Sequence, residues 1–140
     1  MSYLDLIIVL ALLMSVTFFL LGLKSQKGSA PGLKNGTLAP CSSKPNAVSS
    51  EAGTQPEKEI APLSTTLAKA KAAVIATGGT ITSETDSYVS VTYMSKLFKF
   101  VDDVELRKDG NIVHIRSGSR VGYSDRGVNR KRVESIRAVL

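Results

Sequence analysis

A chain of 140 residues with a formal net charge of +6 has room for one small domain once its apolar N-terminus is set aside. A single cysteine (Cys41) excludes an intrachain disulfide, and one cysteine with one histidine excludes a Cys/His zinc site. Residues 1–40 carry one acid against three bases, 41–95 five against four, and 96–140 six against eleven, so the basicity belongs to the C-terminal third and favours anionic partners.

Leu4 to Leu23 is almost wholly apolar, broken only by Asp5, Ser15, Thr17 and Gly22. Twenty helical residues reach across about 30 Å of hydrocarbon. The expectation is an uncleaved, single-pass transmembrane anchor over residues 1–23. A cleaved signal peptide is the rival reading, but no Lys or Arg precedes the apolar run, and the run exceeds a typical signal core. Leu38-Ala39-Pro40-Cys41 has the outline of a lipobox, yet it lies far past the run and places Pro before the Cys. Lys24, Lys27 and Lys34 flank the end of the run, which by the positive-inside rule leaves the domain on the cytoplasmic side of a cell (inner) membrane. Residues 24–62 are rich in Gly, Pro, Ser, Lys and Glu, a composition that predicts a flexible linker.

Residues 63–140 read as the domain. Ser64 or Thr65 caps a predicted helix to Thr77, with Leu67, Ala70, Val74 and Thr77 on one stripe and Gly78-Gly79 ending it. Strands are predicted at Thr80–Glu84, Tyr88–Met94, Val101–Arg107 and Ile112–Ser117, the last two joined by a turn at Lys108-Asp109-Gly110-Asn111. A final helix starts after Asn129, with Val128 and Val133 as a hydrophobic staple and Val133, Ile136 and Leu140 as its packing stripe. The predicted fold class is α+β: a two-layer domain with a four-stranded antiparallel sheet and two flanking helices (α-β-β-β-β-α), preceded by one transmembrane helix.

The stretch Arg116–Arg137 holds seven Arg or Lys among Gly, Ser, Asp and Asn, and it runs into the last helix. Arg130, Lys131 and Arg132 fall in that helix's first turn, where the macrodipole disfavours cations. A bound anion would offset this, held by the free N–H groups together with Arg116, Ser117, Ser119, Arg120, Ser124, Asn129, Arg130 and Arg132. The competing reading is an internal ion-pair network in which Asp102, Asp103 and Asp125, with Glu105 nearby, take the guanidinium groups.

Ser124, Asp125 and His114 supply the residue types of a hydrolase triad, but His114 sits on a strand with nothing aiming it at Ser124. Adjacent Asp102 and Asp103 point to opposite faces of a strand, which argues against joint acid–base or metal work. No catalytic residue, metal site or cofactor is therefore expected. Tyr123 is the only aromatic in the basic stretch, and with a membrane anchor this argues against nucleic acid as a partner. Leu97-Phe98-Lys99-Phe100 mixes apolar and cationic side chains, as interfacial membrane contacts do. A loop completing a small core would carry the same pattern.

The run FVDDVELRKDGNIVHIRSGSRVGYSDRGVNRKRVESIR resembles the bacterial and plastid family called domain of unknown function 1499. Cys41–Ser50 (CSSKPNAVSS) resembles its N-terminal signature of Cys followed by Pro-Asn-Cys-Val-Ser-Ser, with Ala47 where the signature has a second Cys, so no role resting on a Cys pair carries over. The resemblance spans about residues 38–140 and implies membrane association without an established activity. Three functional readings stand on the sequence. The first is a non-enzymatic membrane-anchored module whose Arg-rich loop binds a lipid phosphate or acidic protein. The others are an enzyme on an anionic substrate, and a structural subunit of a membrane complex with an internal Arg–carboxylate network.

Overall fold

The apolar run forms one helix, α1 (Tyr3–Gln26), in a computed structural model that describes residues 1–140. Ser2 and Asp5 cap its start reciprocally, each accepting a backbone N–H of the other. The hydroxyls of Ser15 and Thr17 donate to carbonyls one turn back, which satisfies them without water. Most of the helix stands clear of the domain with its apolar side chains exposed, and it is long and apolar enough to cross a membrane.

After α1 come a two-residue hairpin, β1 (Leu33–Lys34) and β2 (Thr37–Leu38), and a short strand, β3 (Ala47–Ser49). Helix α2 (Leu67–Ala76) follows, capped by the Thr66 hydroxyl rather than by Ser64 or Thr65. Next are β4 (Thr80–Glu84), β5 (Tyr88–Met94), β6 (Val101–Asp109), β7 (Ile112–Ser119) and α3 (Val128–Arg137). The main sheet is antiparallel throughout in the order β3-β7-β6-β5-β4. The turn between β6 and β7 tightens to Gly110-Asn111, Asp109 pairing with Ile112 and Gly110 taking a φ of +55° that suits glycine.

The protein is α+β, but the sheet has five strands and not the expected four. The fifth is β3, from a stretch read as linker. Three residues with one large apolar side chain give no period-2 signal, and β3 exists only because the edge of β7 is there to pair with it.

Along β5, β6 and β7 alternate residues divide cleanly. Val89, Val91, Val104, Leu106, Val113 and Ile115 face α2 and α3, where they meet Ala70, Val74, Val133 and Ile136 in one core. Val133 and Ile136 are fully buried as expected of α3, whereas Leu140 is exposed and Val128, at 46% exposure, forms no staple. The opposite face carries Tyr88, Ser90, Asp103, Glu105, Arg107, His114 and Arg116, a polar set that would be soluble if left open. It is covered by the chain between α1 and α2.

Candidate functional site

That polar face follows from register. Glu105 sits opposite Arg116, so opposite charges meet directly across β6 and β7, and Arg107 lies two positions on, opposite His114. Glu105 is fully buried and accepts three hydrogen bonds: from the Tyr88 hydroxyl (2.7 Å), the Gly32 amide (2.8 Å) and Arg116 (3.3 Å). Burial pushes its carboxyl above the usual range, against the pull of those three donors. Burial and the facing carboxylate likewise drive the Tyr88 phenol up. Asp103 takes Arg120 in a two-pronged pair, 2.7 Å on each side. Glu51 takes Arg107 in the same manner at 2.7 and 3.0 Å and also accepts the Leu38 amide. Burial opposes ionisation of Glu51, but the Arg107 and Leu38 hydrogen bonds outweigh it and hold the carboxyl low.

Arg132 lies on the other side of the sheet. It bonds Asp102 at 2.7 Å, donates to Asn129 at 2.7 Å, and stacks over the Tyr93 ring at 4.8 Å. Asn129 is fully buried and joins the Ser117 and Ser119 hydroxyls at 2.6 and 2.9 Å. Three of the neutral donors expected to line an anion site, Ser117, Ser119 and Asn129, are thus engaged with one another. Arg130 reaches back to the carbonyls of Glu57 and Glu59, and Arg137 to those of Ala61 and Pro62.

The start of α3 has its own counter-charge. The Asp125 carboxylate accepts the amides of Gly127 (2.9 Å) and Asn129 (3.0 Å) and the Asn129 side chain (2.8 Å). Burial works against its ionisation, yet these hydrogen bonds together lower its pKa. An acid of the chain itself therefore stands where the cations of the first turn require an anion.

The eight residues expected to form one anion site do not converge. Arg116 and Arg120 emerge on the polar face, while Ser117, Ser119, Asn129 and Arg132 meet on the helix face, with the sheet between them. Ser124 is exposed on the connecting loop and accepts only the Arg126 amide. Asp102 and Asp103 split between the faces as their adjacency predicts. His114 is kept from Ser124: its Nδ1 lies 3.0 Å from the Ser50 carbonyl, which makes that nitrogen the donor, and its Nε2 faces Asp109 at 3.5 Å. Cys41 is buried at 8% exposure, and burial raises its thiol pKa despite Arg116 and Lys58 nearby.

Glu51 and Arg107 are the contributors that sequence reasoning missed. The position of Arg107 on the polar face follows from strand alternation, but its neighbour His114 does not follow from the expected turn at 108–111, because the turn tightens to 110–111 and shifts the register by two. Glu51 was not legible, since nothing local announces that the surrounding stretch folds back.

The fold and its contacts define a small two-layer α+β domain, carried on an apolar helix and held together by arginines that reach into its non-repetitive N-terminal segment. The chain belongs to the family described as protein of unknown function (DUF1499), whose pattern matches residues 37–140. No curated protein and no solved structure matches it.

Proposed function

We propose that the protein is a single-pass membrane-anchored module that works without catalysis, as a structural subunit whose arginines serve its own architecture. The observation that carries this reading is the fate of the basic stretch. Arg116, Arg120 and Arg132 end on Glu105, Asp103 and Asp102, and Arg130 and Arg137 end on carbonyls of residues 57–62. Guanidinium groups so engaged hold chain segments in place and present little free charge to a ligand.

The test is Arg132→Ala in the full chain. Under the structural reading the variant melts lower, while the folded protein keeps its affinity for anionic vesicles and co-purifies with the same stoichiometric membrane partner. Lost vesicle affinity at an unchanged melting temperature would reverse the assignment.

Anion binding has one specific support on the polar face. A cleft of about 350 Å³ is lined mainly by polar groups, among them Ser42, Lys44, Asp103, Arg116 and Arg120, and the buried Nε of Arg116 has no hydrogen-bond partner. An oxyanion entering there would approach Lys44, the one lysine in the lining. Phosphate titration that shifts the melting temperature of the parent but not of Lys44→Ala would favour this second reading.

A further inference from the structure

The last two turns of α1 are not free of the domain. Gly22 meets the loop between β5 and β6 so closely that an added Cβ would stand 1.8 Å from the Phe98 carbonyl oxygen. The Ser25 hydroxyl accepts the Val101 amide at 3.0 Å, and the Gln26 amide donates to the Lys99 carbonyl at 3.4 Å. Phe18 joins Phe98 and Phe100 in an aromatic cluster, with centroids 5.4, 6.3 and 6.1 Å apart. Phe18 precedes the end of the apolar run by five residues, or about 7–8 Å along a helix rising 1.5 Å per residue. The loop therefore reaches back along α1, below the level at which the apolar run ends.

We infer that this loop, Ser95–Phe100, is a second membrane contact, seating the domain on the bilayer surface from which α1 emerges. The inference rests on the proposal that α1 spans the membrane. Leu97 at the loop's tip is 80% exposed and Met94 beside it 56%, which in water leaves two large apolar side chains without cover. Lys96 and Lys99 flank the tip, placing ammonium groups where lipid phosphates lie when the apolar side chains enter the acyl boundary. A groove of about 290 Å³ beside the loop, lined by Phe18, Leu21, Phe100, Val121 and Val128, continues the apolar surface of α1 onto the domain. The occupant this surface fits is the lipid bilayer, because it is continuous with a helix whose own apolar face is bare from Leu4 to Leu20.

The test uses the full chain in phosphatidylcholine/phosphatidylglycerol liposomes, with a fluorophore on Leu97→Cys, Asp86→Cys or Leu12→Cys. Native Cys41 is buried, and mock-labelling of the parent gives its background. Asp86 lies in the turn at the far end of β5, about 20 Å away at roughly 3.4 Å per strand residue. The label at 97 is expected to lose most of its emission to lipids brominated high in the acyl chain and little to aqueous iodide, with the label at 86 behaving oppositely. Quenching by iodide at 97 while the label at 12 is quenched by bromolipid would overturn the docked loop and leave the spanning helix standing. Quenching by iodide at 12 would remove the spanning helix and the inference with it. Shielding of 97 from both quenchers would assign the surface to a protein partner and overturn the lipid contact.

Discussion

Arg120 holds Asp103 through two 2.7 Å hydrogen bonds and with its remaining nitrogen donates to the Ser25 carbonyl at 3.1 Å. One guanidinium thus joins the end of β7, the middle of β6 and the last turn of α1. The pair is almost dry, with side chains 12% and 3% exposed, so its geometry is what makes the buried charges tolerable. The same device recurs at Arg107 with Glu51, and in weaker, more exposed form at Arg130 and Arg137.

Removing one partner of that pair should be costly. Arg120→Ala strands the Asp103 carboxylate, and a loss of about 3–5 kcal/mol in denaturant unfolding is expected. Arg120→Lys keeps the charge but cannot form the fork, so it should recover only part of that stability.

Glu51→Ala should act locally as well as globally. It leaves Arg107 without its two-pronged partner and frees the Leu38 amide, so hydrogen exchange across residues 37–51 should accelerate more than in α2 or β5. Uniform acceleration across the whole domain would contradict a fastening role for Glu51.

Asp125 predicts a pH dependence with a definite sign. Its folded pKa lies below the ordinary value of 3.8, so its contribution is present above that value and is lost as pH falls through the folded pKa. Asp125→Asn should therefore be destabilised near neutrality, with the gap from the parent closing at acid pH. Glu105, whose folded pKa is raised above 4.5, has the reverse sign: its contribution is complete below that value and fades as pH rises through the folded pKa. In melting temperature against pH, Asp125→Asn and Glu105→Gln should both part from the parent as pH rises but with opposite sign, the first losing stability relative to it and the second gaining.

Gly22→Ala tests the junction between helix and domain. The new methyl would collide with the Phe98 carbonyl, so the loop must move away from α1. Tryptic cleavage after Lys96 and Lys99 in detergent micelles should quicken markedly, with α2 and α3 remaining resistant.

Much of the domain was legible because its signals are local. The limits of β5 follow from the alternation of Val89, Val91 and Tyr93, those of β4 were placed correctly as well, and β6 and β7 were placed with only their ends short, by two residues each. The helix α2 was readable from one stripe, although its cap moved to Thr66. The site fared differently. Arg116 and Arg132 are sixteen positions apart in a single basic stretch and read as neighbours, but strand alternation and the turn into α3 put the sheet between them. The neutral donors Ser117 and Asn129 were singled out correctly as polar and close together, yet 2.6 Å separates their oxygens from each other rather than from a ligand.

By itself the sequence determined an apolar helix, an antiparallel α+β domain and membership of its family, because hydrophobic periodicity and turn residues act over a few positions. Only the tertiary structure decided that residues 25–62 pack against the sheet and α3 instead of trailing from them. That segment has too few apolar side chains to fold through burial of its own. It is ordered by donors and acceptors elsewhere in the chain, Arg107, Arg120, Arg130, Arg137 and Glu105 among them, whose partners are fixed by strand register across dozens of residues.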